Sequence, residues 1–532
     1  MKKITHIPFH PLLFAVFPIL ALWNTNFSRV SADTVLKPLI LAAVGGIILY
    51  LFLTPILHSV EKAALLSTFI LILYFSYGHL YEQLDGRLLM GIHLGRHRLL
   101  LPIFGLIFCI GVYLILRFGK NTTNLNKVLN WASLGLVCIV LAQLAFVQID
   151  TSRAGAQRKQ QQATIPPEIN LAGLQGRTDL PDIYLLVMDT YTRADALNQL
   201  FNYDNRPFLN ELTQLGLVLP PCTQSNYAET AMSMSTELNM NYLDAFASQA
   251  TRKRSEIDYL WFTEYIRRSQ VREILTQIGY KTVSFEVYYP WVEIPDADYY
   301  FKQNTAANWL GSLLDTTEFD ELLARTTLFR LVDEAGTISP AFGTKMTQFR
   351  DSLTEKLLRL AETRNARQKK YELILNAFNK MDEVSRIPGP KFVYMHLPAP
   401  HPSYVLGPNG EYQPNTETIP GYSDSVTYLN KRILETIRLI LKNAKNPPVI
   451  ILQADHGWGG AEPANRMQIL NAYYLPGGGG QAIYPSITPV NTFRIVFNQY
   501  FNSNFKLLED KSYFSSNTGY FDFKLIPPDC PK

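Results

Sequence analysis

Cysteine is scarce in this chain: there are four in 532 residues and none stands in a C-x-x-C pair, so neither a thiolate zinc ribbon nor a dithiol redox motif is encoded. Excess charge of one sign is missing too. The net charge is +4 with no concentrated basic stripe, so nothing suggests nucleic acid as a partner. No A-x-A-like cleavage site follows the first apolar run, "LLFAVFPILALW", so it does not read as the h-region of a secretory signal despite the "MKK" ahead of it.

What is present is an uneven distribution of apolar residues. Runs at about 11–23, 38–57, 63–79, 99–116 and 128–148 crowd the first 150 positions. A helix of about 17–25 apolar residues can cross a hydrocarbon core. The second, fourth and fifth runs meet that length, the third is acceptable and the first is short, and five spanning helices are expected. Lys and Arg are balanced between alternate loops, so charge does not choose an orientation. Cys109 and Cys138 fall inside apolar runs as packing residues, whereas Cys222 and Cys530 lie beyond them. Those two could pair in an oxidising compartment, although spacing alone does not show it.

At this length the chain needs at least two structural units. Residues 1–149 are expected to form a membrane domain and the Gln-rich stretch 150–180 a linker, leaving 181–532 as a separate domain. In that last part, short apolar runs recur at 183–188, at "KFVYMHL" (391–397) and at "PPVIILQADHG" (447–457). Each reads as a strand covered on both faces. Helical patterns lie between them, such as "KKYELILNAFNKM" and "YLNKRILETIRLILKNA". The predicted fold is therefore α/β, a mostly parallel sheet flanked by helices. Residues 303–385 are rich in helix formers and read as a helical insertion.

Ligands of open α/β sheets gather at the carboxyl ends of the strands. Each of the three runs ends in a residue able to bind a metal or move a proton: Asp189, His396, and the pair Asp455–His456 before Gly457. One such acid is commonly a helix cap, but three strands ending this way point to a site. Carboxylate and imidazole together suit a divalent cation such as zinc or manganese, with magnesium or calcium also admissible. The stretch "PPCTQSNYAETAMSMSTELNMNYLD" (220–244) adds six hydroxyls, from Thr223, Ser225, Thr230, Ser233, Ser235 and Thr236.

"PDIYLLVMDTYTRADAL", "FVYMHLPAPHPSY", "YLNKRILETIRLIL" and "VIILQADHG" stand in the order typical of the sulfatase/alkaline-phosphatase superfamily, which the chain resembles over roughly residues 180–500. With five spans ahead of it, it resembles the membrane-anchored branch of lipoteichoic acid synthases and lipid A phosphoethanolamine transferases. That resemblance implies a multi-pass protein of the cell membrane with its catalytic domain outside the cytoplasm. It further implies a site of one divalent metal held by Asp189, Thr230, Asp455 and His456. Thr230 would be the nucleophile, and His396 and His401 would supply substrate-binding and acid/base roles. Three departures narrow the expected chemistry. No C/S-x-P-x-R motif follows Cys222, Asp189 is followed by Thr190 instead of a second acid, and no D-x-x-x-H unit is present for a second metal. These favour phosphotransfer to or from a membrane lipid headgroup or envelope glycan. A hydrolase of phosphate or sulfate esters, and a catalytically silent binding or assembly protein, stand as alternatives.

Arg193 and Arg466 are candidates for holding a substrate anion, with a local ion pair as the other reading of Arg193. Ser233 and Ser235 read as small packing residues, and Thr223 and Ser225 as turn or cap residues. The aromatic "YYPWVEIPDADYYF" reads as packing, or as a rim able to meet a lipid headgroup.

Overall fold

In a computed structural model of the chain, the residues described are 7–27, 30, 32–89, 92–117, 122–161, 166–177, 179–246, 259–303, 317–333, 366–416, 418–460, 462–516 and 519–530. Two compact units emerge: Met1–Asp150 with Ala306–Ala366, and Thr151–Thr305 with Arg367–Lys532.

The first unit is helical. Among the described residues, four helices are long and apolar enough to cross a membrane, at Thr34–Leu57, Val60–Leu84, His97–Arg117 and Thr122–Ile149. The fifth expected span is shorter. His10–Thr25 has 16 residues, which at about 1.5 Å per residue falls short of a hydrocarbon core about 30 Å thick. Its first residue is fixed by polar contacts: His10 Nδ1 lies 2.6 Å from Thr68 Oγ1 and Nε2 lies 2.7 Å from Asn126 Oδ1. The region 303–385 divides between the units. The Glu318–Thr326 helix starts from a capping box of Thr317 and Asp320. It belongs to the first unit, where Lys37 Nζ reaches Asp320 at 2.6 Å. The Ala366–Arg386 helix belongs almost wholly to the second, and residues 304–316 and 334–365 lie outside the described part.

Among the described residues, the second unit is built on a six-stranded sheet: β1 (Ile183–Met188), β2 (Lys281–Phe285), β3 (Tyr299–Phe301), β4 (Lys391–Leu397), β5 (Val449–Gln453) and β6 (Asn471–Tyr474). Their order is β6-β5-β1-β4-β2-β3, and every neighbouring pair is parallel except the antiparallel β6–β5. β1 sits at the centre with all six residues buried, as its unbroken apolar run requires. Alternate residues feed two cores. Tyr184, Leu186 and Met188 face the helices Ala366–Arg386 and Ile419–Asn443, while Ile183, Leu185 and Val187 face Thr230–Leu238, Gln270–Ile278 and Pro489–Tyr500. The result is a three-layer α/β domain, as the sequence pattern predicts.

Strand register aligns three polar residues near the strand ends. Val187 of β1 pairs with His396 of β4 and with Gln453 of β5, and Gln453 pairs with Asn471 of β6. A polar row therefore crosses this face of β1, β4, β5 and β6, just before the strand ends. The C-terminal tail is tied back to this unit by a disulfide between Cys222 and Cys530.

Candidate active site

Asp189 leaves the end of β1 through a turn in which Thr190 has φ 66°. A β-branched residue rarely takes the left-handed region, and such turns cluster at functional sites. Tyr422, fully buried, holds the turn closed: its hydroxyl donates to the Thr190 carbonyl at 2.8 Å and accepts from the Thr192 N–H at 3.1 Å. Asp455 and His456 follow β5 on a loop that needs its glycine. A Cβ on Gly457 would lie 2.7 Å from the carbonyls of Asn465 and Gln468, and the Gly457 N–H donates to the Arg466 carbonyl at 2.7 Å. Asp455 Oδ1 is bound to the backbone, accepting from Thr190 N–H at 3.1 Å and His456 N–H at 2.9 Å. The two strand ends are thereby locked together.

The remaining ligand atoms converge. Candidate atoms of Asp189, Asp455 and His456 all lie within 4.8 Å of one another. His456 Nε2 is 3.8 Å from Asp189 Oδ1 and 3.6 Å from Asp455 Oδ2. The other ring nitrogen, Nδ1, faces the Gly457 carbonyl at 2.9 Å. A carbonyl only accepts, so Nδ1 carries the proton and Nε2 presents its lone pair to the cluster. Asp189 Oδ1 and Asp455 Oδ2 are buried and have no hydrogen-bond partner among the described residues. Buried carboxylate oxygens facing one another without donors are costly unless a cation joins them. The donor set fits one divalent ion.

Thr230 completes the arrangement. It is the first residue of the Thr230–Leu238 helix, half-buried, with Oγ1 3.2 Å from His456 Nε2. Three residues on, Ser233 Oγ donates to the Asp455 carbonyl at 2.7 Å, pinning the helix to the ligand loop. Two of the other hydroxyls of the stretch serve the fold. Thr223 Oγ1 donates to the Ile469 carbonyl and Ser235 Oγ to Met232. Ser233 is thus more than the packing residue its small size suggests, and nothing in the sequence marks it.

Electrostatics follow from burial. Burial, then the neighbouring Asp455 charge, pushes the Asp189 carboxyl well above its ordinary range, with Lys370 and Arg466 pulling the other way. Burial also opposes charge on Asp455, yet His456 and His396 hold it below the ordinary range. His456 is lowered to about 4, mainly by burial, which keeps it neutral and able to bind a cation.

His396 is fully buried, with Nε2 3.8 Å from Asp455 Oδ2 and no hydrogen-bond partner on either ring nitrogen among the described residues. His401 lies close enough for His456 and Asp455 to act on its charge, and it is lowered to about 3 by burial and then by Lys370. Arg466 borders the cluster. It donates to the Ala228 carbonyl at 2.8 Å and bears on both Asp189 and His456. Arg193 does not join them. Its guanidinium grips Asp195 with two bonds of 2.7 Å and donates to the carbonyls of Thr223 and Asp529, so it anchors the C-terminal tail as a local ion pair.

No family model and no curated protein matches this chain. Solved structures similar to it include phosphoethanolamine transferases and a protein of the alkaline phosphatase superfamily. The periplasmic domain of phosphoethanolamine transferase EptC from Campylobacter jejuni shares 12% identity, covering 65% of this chain and 96% of that one, with a TM-score of 0.36. The integral membrane lipooligosaccharide phosphoethanolamine transferase A from Neisseria meningitidis shares 14%, covering 93% and 95%, with a TM-score of 0.34. An alkaline phosphatase superfamily protein from Vibrio parahaemolyticus shares 11%, covering 66% and 77%, with a TM-score of 0.37.

Proposed function

We propose that this protein is a membrane-anchored phosphotransferase that works through a phosphorylated Thr230, on a phospholipid headgroup or an envelope glycan outside the cytoplasmic membrane. The observation that carries the reading is the placement of Thr230 Oγ1 3.2 Å from His456 Nε2, at a helix N-terminus beside two buried carboxylate oxygens without a hydrogen-bond partner among the described residues. Asp189, Asp455 and His456, with Thr230 beside them, would hold one divalent ion, zinc or manganese by the mixed oxygen and nitrogen donors. When bound, such an ion lowers the pKa of an adjacent alcohol and polarises a phosphoryl oxygen.

The chain supplies the rest. Amides at the start of the Thr230 helix and the Arg466 guanidinium favour a bound phosphate. Thr230 Oγ1 attacks phosphorus and the donor alcohol departs; an acceptor alcohol, or water, then takes the group and frees Thr230. His401 exchanges the proton of the departing or attacking oxygen. The absence of a formylglycine motif and of a second-metal unit supports phosphoryl over sulfuryl chemistry.

Intact-mass spectrometry of full-length protein, incubated with zinc and mixed phospholipid micelles, tests this. A phosphoryl adduct mapping to Thr230 and missing in Thr230→Ala is expected. An unmodified wild type under those conditions sinks the proposal.

A further inference from the structure

The aromatic stretch and a buried lysine, neither tied to chemistry by its local sequence, meet at His401. Tyr289, almost fully buried, places its hydroxyl 2.9 Å from His401 Nδ1, with the rings edge to face at 5.4 Å. Tyr289 is itself stacked on Trp291 at 4.8 Å. His401 Nδ1 also contacts the Pro402 carbonyl. That carbonyl can only accept, so Nδ1 bears the proton, the Tyr289 oxygen accepts a share of it, and Nε2 is left as the ring nitrogen able to serve the site.

The backbone of the same segment is clamped from below. Lys370, 2% exposed on the Ala366–Arg386 helix, directs Nζ at three successive carbonyls: His401 at 2.8 Å, Pro402 at 3.1 Å and Ser403 at 3.1 Å. A buried ammonium is retained only where its donors are satisfied, and here satisfying them fixes the segment that carries His401.

We propose that Tyr289 and Lys370 are positioning residues. Together they hold His401 with Nδ1 as donor and Nε2 as the nitrogen that exchanges a proton with the oxygen opposite Thr230 on phosphorus. The inference rests on the phosphotransfer reading above. In the donor step Thr230 Oγ1, its proton lost to solvent, bonds phosphorus. The bond from phosphorus to the departing alcohol oxygen breaks, and His401 Nε2, neutral in the free site and protonated from solvent once the phosphate anion lies beside it, gives that oxygen its proton. In the acceptor step the attacking hydroxyl passes its proton to Nε2 as its oxygen bonds phosphorus. The electron pair of the broken bond returns to Thr230 Oγ1, which regains a proton from solvent.

Leaving-group chemistry separates positioning from mere stability. Diacylglycerol departs as an alcohol and needs a proton, whereas 4-nitrophenolate departs without one. The full-length zinc-loaded protein is therefore assayed on phosphatidylethanolamine–phosphatidylglycerol mixed micelles and on bis(4-nitrophenyl) phosphate. Tyr289→Phe and Lys370→Met are expected to lose about 10–100-fold in kcat on the micelles, as supporting-residue changes typically do. They should stay within about 3-fold of wild type in the 4-nitrophenolate burst, and Lys370→Arg should recover most of the micelle rate. His401→Gln should lose at least as much on the micelles. Equal losses on both substrates, or none on the micelles, overturn the positioning role while leaving the Thr230 adduct intact. A wild type that forms no adduct from either donor overturns the phosphotransfer reading itself, and the positioning role with it.

Discussion

Thr230 is one of six hydroxyls within fourteen positions, and chain chemistry alone does not separate it from Ser233 or Thr236. Resemblance to a family pattern selects it, and the fold supplies an independent ground: it is the helix N-terminal residue whose Oγ1 reaches His456. Thr230→Ala should reduce turnover by a factor on the order of 10⁴ or more, as loss of a nucleophile does. Thr230→Ser, which keeps the oxygen, should retain measurable adduct by the same mass measurement. Arg193, for which the sequence left a local ion pair beside the substrate-anchor reading, bonds Asp195 and the tail. His456 gives a pH test in chelator. Burial lowers it from 6.5 to about 4. Between those values the unfolded chain binds a proton that the folded protein does not, so stability declines as pH drops from 6.5 toward 4. The full loss is on the order of 3 kcal/mol for this group. A thermal melt followed by tryptophan fluorescence at pH 7 and pH 5 should show it, and His456→Gln should flatten the slope.

At the scale of elements, the strands were legible because a strand buried on both faces must be a short unbroken apolar run. "YLLVM", "FVYM" and "VIILQ" became adjacent strands β1, β4 and β5, and their carboxyl ends carry Asp189, His396 and Asp455. What the local pattern could not convey is how the ends are locked, since that depends on contacts between segments hundreds of residues apart. Tyr422 closing the turn after Asp189 and the backbone crowding against Gly457 are both of this kind. The described parts of the 303–385 region are helical, but the sequence did not show that they belong to different units, because helix propensity says nothing about the packing partner. Gly457→Ala forces a methyl group against three carbonyls. Its expected cost is about 1–3 kcal/mol, the usual range for overpacking. Because Asp455 and His456 ride on the same loop, zinc affinity measured by calorimetry should fall along with the denaturation midpoint. Tyr422→Phe removes two bonds from the Thr190 turn and should cost about 1–3 kcal/mol, as expected where buried polar groups lose their partner.

At the scale of the whole molecule, the disulfide is the feature with most to say about where the second unit lies. Cys222 and Cys530 are separated by 308 positions, and spacing gave no reason to pair them over leaving both free. The fold brings them together because the tail crosses back over the loop that leads to Thr230. There Gln468 Nε2 donates to Asp529 Oδ2 at 2.6 Å and Arg193 Nη1 donates to the Asp529 carbonyl at 3.0 Å. Disulfides persist in oxidising compartments and are rare where thiols are kept reduced. Cys109 and Cys138, on the apolar helices of the first unit, are free and serve as internal controls. In protein extracted from whole cells directly into denaturant containing maleimide, two cysteines should be modified before reduction and four after it. Four modified without reductant would place the second unit on the reducing side of the membrane and remove the extracytoplasmic assignment. Opening the bond should also release the tail from Arg193 and Gln468. The melting transition of the second unit should therefore fall with reductant by the equivalent of about 2–5 kcal/mol, the span typical for losing a native disulfide. Cys530→Ser should reproduce the fall without reductant, tying the effect to this bond and not to metal reduction or thiol binding at the Asp189–Asp455–His456 cluster.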